Sequence, residues 1–122
     1  MTIRILAIDD SPTMRGLVAA ALEPVGFEIH LAADGLEGLE RLDAVDPHLV
    51  ITDVNMPRLD GFGVIEGVRS SGQHTSVPIL VLTTERGSDL KDRARRAGAT
   101  GWIVKPFDDS RLIDTINRVL GL

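Results

Sequence analysis

Four short apolar runs in this 122-residue chain break off at residues able to do chemistry. IRILAI from Ile3 ends in Asp9 and Asp10, HLVITD from His48 ends in Asp53, PILVLT from Pro78 ends in Thr83 and Thr84, and GWIVK from Gly101 ends in Lys105. A single acid in such a place is most simply a turn or helix-capping residue. Three carboxylates, hydroxyls and an ammonium brought to one place are another matter. The carboxylates would repel one another and resist ionisation unless a cation stood among them. One lysine offsets only part of that charge. A hard divalent ion with oxygen ligands completes the balance, and few carboxylates with room for water and phosphate suit Mg2+. Such a site is equipped for phosphoryl transfer. Asp53 would be the nucleophile that forms an acyl phosphate, Lys105 would pair with a phosphoryl oxygen, and Thr83 would donate a hydrogen bond to another. The chain has no cysteine, and His30, His48 and His74 are scattered as ordinary surface or strand-end residues. Zinc chemistry and a Ser/His/Asp triad are therefore not indicated.

For these residues to meet, the apolar runs must be neighbouring parallel strands with matching ends. A fifth run, FEIHLA from Phe27, alternates in character and reads as an edge strand; it ends in Ala32 and Ala33 and delivers no chemistry. The other four are almost continuously apolar, as strands covered on both faces are. Between the runs lie stretches with helical spacing: Met14 to Val25, Leu36 to Leu42, Phe62 to Val68, Leu90 to Ala97, and Leu112 to Leu120. Ser11 with Pro12 reads as an N-cap and a first-turn proline, and Gly26 and Gly98 as helix C-caps. The alternation βαβαβαβαβα predicts a doubly wound parallel α/β sheet with helices on both faces, in which ligands bind beyond the carboxyl ends of the strands. Gly61, Gly63 and Gly67 weaken the third helix on propensity grounds, and one Leu with two Ala is a thin stripe for the fourth. Movement is expected in these two helices.

A chain of this length supports one core, and 43% hydrophobic with 25% charged residues is globular composition. The whole of 1–122 is read as one domain with no output module attached. No run has the ~18 apolar residues of a membrane span, and the start of the chain does not look like a secretion signal. A cytoplasmic location is expected. The net charge of -5 argues against nonspecific nucleic-acid binding. It is unevenly spread: Arg86 to Arg111 carries +3, leaving -8 on the rest, a distribution that can orient a partner protein.

IDDSPTMR at 8–15, ITDVNMPRLDGF at 51–62, LTTE at 82–85 and GATGWIVKPF at 98–107 together resemble the receiver domains of two-component signalling, and among them the stand-alone chemotaxis response regulators of the CheY type. The match runs from the first strand to the last. It implies a flavodoxin-like (βα)5 fold with strand order 2-1-3-4-5, and a phosphorylation-switched signalling protein rather than a conventional enzyme. It further implies Asp53 as acceptor from a chemotaxis-type histidine kinase. Asp10, Asp53 and the Asn55 carbonyl would be Mg2+ ligands, with Asp9 acting largely through water. Thr83 would be the switch hydroxyl, Trp102 the switch aromatic, and Lys105 the phosphate-binding lysine, joined to Pro106 by a cis peptide. The output would be a monomer's helix 4, strand 5 and helix 5 surface acting on the flagellar motor switch or another target, or else a phosphate sink that drains the kinase. Two positions depart from the usual pattern: Trp102 is larger than the common Tyr or Phe, and Thr84 is bulkier than the common residue there.

An aspartyl-phosphate hydrolase of the haloacid-dehalogenase type also combines an Asp nucleophile with Mg2+. Such enzymes carry an acid two residues after the nucleophile, where this chain has Asn55. A receiver reduced to a scaffold would not need the full set of Asp9, Asp10, Asp53, Thr83 and Lys105.

Overall fold

The computed structural model describes residues 2–122. Strands and helices alternate: β1 (Arg4–Ile8), α1 (Pro12–Leu22), β2 (Glu28–Ala32), α2 (Gly35–Val45), β3 (Leu49–Thr52), α3 (Gly61–Arg69), β4 (Ile79–Thr83), α4 (Ser88–Ala97), β5 (Gly101–Val104) and α5 (Asp109–Leu120). All strand pairs are parallel and the order is β2-β1-β3-β4-β5, the doubly wound flavodoxin-like arrangement. The chain steps outward from β1 to β2, then returns across to β3. The order therefore reverses between β1 and β3, the two strands that lead into Asp9 and Asp53. Among the described residues no helix is long and apolar enough to cross a membrane.

Successive side chains of a strand point to opposite faces, and the core divides accordingly. Leu6, Ile8, Val50 and Val81 join Leu42 and Val45 of α2, four residues of α3 and Ala94 of α4 on one face. Ile5, Ala7, Leu49, Ile51, Leu80, Leu82 and Ile103 meet Val18 and Leu22 of α1 and Leu112 and Ile116 of α5 on the other. Truncating a large side chain among these, Leu6→Ala for example, costs about 2–5 kcal/mol.

Helix starts follow side-chain chemistry. Ser11 accepts from the Met14 N–H, and Asp34, Asp60 and Asp108 cap α2, α3 and α5 in the same way. Gly98 ends α4 at φ 117°, as expected. Gly26 instead closes a 3-10 turn (Glu23–Val25) that follows α1, so the α-helix stops three residues short of Val25.

β2 and β5 are the two edges, as the order 2-1-3-4-5 requires, but the apolar run of β5 is less covered than expected, with only Ile103 of its four residues fully buried. An apolar run does not reveal whether a neighbour follows it. The α3 glycines also turn out differently. A Cβ on Gly61 would overlap the Asp53 carbonyl oxygen, and one on Gly67 would run into Leu39 of α2. They permit close packing, and α3 buries Phe62, Val64, Ile65 and Val68. α4 does match the expectation of a lightly attached helix: only Ala94 is buried. Cations supplement it. Arg93 stacks 3.9 Å above the Phe62 ring, and Arg69 donates two hydrogen bonds, at 3.1 and 2.6 Å, to the Gly98 carbonyl. His74 is no surface residue. It is 6% exposed, with Nε2 3.1 Å from Asp43 Oδ1, in a loop whose lack of periodicity hid its burial.

Candidate functional site

Each site residue lies where a strand's hydrogen-bond ladder runs one step past the strand. Asp9 donates its backbone N–H to Ala32 of β2, Asp53 to Ile8 of β1, and Lys105 to Thr83 of β4, at 3.1, 3.1 and 2.7 Å. The backbone is thus still held by a neighbour at the point where the side chain leaves the core. That fixes three side chains from three strands at one end of the sheet.

There the Lys105 ammonium bridges Asp9 Oδ2 at 2.6 Å and Asp53 Oδ2 at 2.8 Å. The remaining oxygens are held too, Asp9 Oδ1 by the Ser11 N–H at 2.9 Å and Asp53 Oδ1 by the Val54 N–H at 2.6 Å. Burial would push the lysine pKa down; the hydrogen bonds and charges of Asp53 and Asp9 outweigh that, and it is raised above its ordinary value. The peptide from Lys105 to Pro106 is cis.

Asp10 is exposed, and one oxygen from each of Asp9, Asp10 and Asp53 lies within 4.8 Å of the others. Three carboxylates and one ammonium leave a formal charge of -2. The donor set is all oxygen and the residual charge equals that of one divalent cation, so these residues fit Mg2+. The Asn55 carbonyl belongs to the loop after β3, and the Asn55 amide donates to Glu85 Oε1 at 2.6 Å.

Thr83 is fully buried, with its hydroxyl oxygen accepting from the Glu85 N–H at 3.3 Å, so its own proton is free to be donated elsewhere. Thr84 is exposed, away from the packed end of β4. Trp102 is half-buried and donates its indole N–H to the Glu85 carbonyl at 3.2 Å. It lines a shallow hollow with Lys91, Ala94, Arg95 and Ala99, so two basic residues of α4 stand beside it.

Sequence reasoning brought out the acids, Thr83 and Lys105, and missed three residues that organise them. Glu85 connects Asn55, Thr83 and Trp102, largely through backbone atoms that carry no sequence signal. Arg15, one turn into α1, donates to the Asp9 carbonyl at 2.7 Å. Arg58 pairs with Asp34 from 24 positions away. All three lie within IDDSPTMR, ITDVNMPRLDGF and LTTE, but the letters do not show which partners they meet.

Comparison with known proteins agrees with this geometry. The family model described as a response regulator receiver domain matches residues 5–117. The chain is 39% identical over 120 residues to the chemotaxis protein CheY1 of Helicobacter pylori, covering 97% of each chain. The structure superposes on Vibrio cholerae chemotaxis protein CheY4 with a TM-score of 0.93 at 40% identity, covering 98% of this chain and 99% of that one. It is also 34% identical to a stretch of hybrid signal transduction histidine kinase D of Dictyostelium discoideum, spanning 95% of this chain but 7% of that much longer protein. With a doubly wound fold of the required strand order, an acidic cluster at its switch point and a match over nearly all of its length, the chain belongs to the response regulator receiver domains of two-component signalling.

Proposed function

We propose that this receiver, working as a single domain over residues 1–122, takes a phosphoryl group from a histidine kinase onto Asp53 and passes the change to its α4, β5 and α5 surface. The carrying observation is the Lys105 ammonium shared between Asp9 and Asp53 at 2.6 and 2.8 Å. A cation already bound to the acceptor carboxylate can follow the charge as it moves onto a phosphoryl oxygen.

In the reaction an Asp53 oxygen attacks phosphorus in line, the P–N bond to the donor imidazole breaks, and the imidazole leaves with the electron pair. Asp10, Asp53 and the Asn55 carbonyl would hold Mg2+, with Asp9 acting through water, and the ion would supply neutralising charge for the phosphoryl oxygens. The Lys105 ammonium binds one oxygen, and Thr83 turns its free hydroxyl proton to another. That motion pulls on the Glu85 N–H, and Glu85 in turn holds the Trp102 indole. The hollow beside Trp102, rimmed by Lys91 and Arg95, is then reshaped for an acidic partner segment. The chemotaxis relatives favour a chemotaxis kinase as donor and the flagellar motor switch as target.

Labelling with a phosphohistidine donor or acetyl phosphate tests the assignment. One phosphoryl group per chain is expected, dependent on Mg2+ and absent from Asp53→Asn. Labelling of that variant at the rate of the natural chain would sink it.

A further inference from the structure

The acidic turn after β1 and the loop after β3 are both fastened to one corner, the turn between β2 and α2. Ala32, at the end of β2, accepts the Asp9 N–H at 3.1 Å. Two residues on, Asp34 caps α2 by accepting from the Glu37 N–H at 2.9 Å and receives Arg58 side-on, Nε to Oδ2 at 2.9 Å and Nη2 to Oδ1 at 3.2 Å. Asp34 is only 14% exposed at its side chain, and the Glu37 N–H foremost, then Arg58, hold its carboxyl below the usual range against the effect of burial. Gly35 lies so close under the Leu59 carbonyl that a Cβ would overlap it.

Arg58 itself has φ 67°, a left-handed conformation that a long side chain adopts at a cost of roughly 1 kcal/mol or more. Strain of this kind persists where the surroundings fix it, and here the two-pronged pair with Asp34 does so. The strained residue stands three positions after Asn55 and three before Gly61, which packs against the Asp53 carbonyl.

We propose that the Arg58–Asp34 pair is a positioning contact for the acidic site, holding the loop that presents the Asn55 carbonyl at a fixed distance from Asp9 and Asp10. The proposal rests on the reading that these residues bind Mg2+. The end of edge strand β2 and the turn after it, which bring no chemical group of their own to the site, thereby contribute the anchors for both ligand-bearing loops.

The opposite charges of Arg58 and Asp34 make the test decisive. If the pair acted on Mg2+ only through its charges, Arg58→Asn would tighten binding and Asp34→Asn would weaken it, since they remove opposite charges. A positioning role weakens binding in both. Asn suits the left-handed region and the N-cap, so neither variant should lose its fold. Calorimetric titration of Mg2+ into the full chain and both single variants and the double variant, with melts in chelator, gives the answer. Expected are affinities lowered roughly three- to tenfold in each single variant, no further loss in the double, and little change in melting. Faster amide exchange over residues 55–59 should accompany them. Unchanged affinity, opposite shifts in the single variants, or losses that add in the double would each overturn the positioning role. Absence of Mg2+ binding by the natural chain would instead overturn the metal reading on which it rests, and the proposal with it.

Discussion

Trp102 donates its indole N–H to the backbone carbonyl of Glu85 across 3.2 Å, tying the edge strand β5 to the loop that follows Thr83. The same Glu85 binds Thr83 through its own N–H and Asn55 through its carboxylate. One residue therefore touches the loop after β3, the Thr83 hydroxyl and the Trp102 indole. Because Trp102 is the only tryptophan, its emission reports this junction alone. Addition of Mg2+ and a small phosphodonor should shift it in the natural chain and leave it unchanged by the donor in Asp53→Asn. An equal donor-dependent shift in both would disconnect Trp102 from phosphorylation.

Trp102→Phe keeps an aromatic ring and removes the N–H. The Glu85 carbonyl then turns to water, and stability should fall by no more than about 1 kcal/mol in a denaturant melt. The larger effect is expected on partner binding, measured against an acidic target peptide, because the hollow beside Lys91 and Arg95 loses its fixed wall.

Two glycines should respond to alanine with opposite signs. Gly16, inside α1, has nothing within 4 Å of where a Cβ would go, so Gly16→Ala should stabilise by roughly 0.5–1 kcal/mol. Gly61 is also helical, yet its Cβ would overlap the Asp53 carbonyl. Gly61→Ala should destabilise by about 1–3 kcal/mol, as overpacking does, and slow phosphorylation by displacing Asp53. Melting curves of the two variants decide between propensity and packing; stabilisation by both would show that the α3 contact yields freely.

Removing the ammonium isolates the electrostatics of the site. Lys105→Met leaves Asp9 and Asp53, 8% and 12% exposed at their side chains, facing each other and Asp10 without compensation. The loss should be about 2 kcal/mol in metal-free buffer, less than for a wholly enclosed pair because Asp53 still reaches water. Mg2+ then has a formal charge of -3 to neutralise in place of -2. It should raise the melting temperature of the variant more than that of the natural chain.

What could be read from residues alone was the set whose signal is an abrupt change of character. Asp9, Asp53 and Lys105 each end an apolar run, and the sheet converts three such endings into one site. Ser11 and Pro12 announced α1 for a local reason too, since capping acts over three residues. Contacts formed only by tertiary closure left no trace. Arg58 and Asp34 meet because α2 and the loop after β3 happen to adjoin, and His74 is buried against Asp43 for the same kind of reason. The tight spacing that explains Gly61 and Gly67 is likewise a property of the assembled layers, so propensity misread α3 as weak.

Lys105 should also give the fold a pH-dependent stability on the alkaline side. Its pKa is raised in the folded chain from an ordinary 10.5, because Asp53 and Asp9 outweigh the opposing effect of burial. A group whose folded pKa is raised contributes stability that is fully present below the unfolded value and is lost as pH climbs through the folded one. Stability in metal-free buffer should therefore begin to fall near pH 10.5 and go on falling above it. The chain has no tyrosine and only one other lysine, Lys91. Denaturant midpoints measured at closely spaced alkaline pH should show the decline in the natural chain. In Lys105→Met, already less stable at neutral pH, the slope should be largely gone; an equal slope in both would place the alkaline transition in some other group.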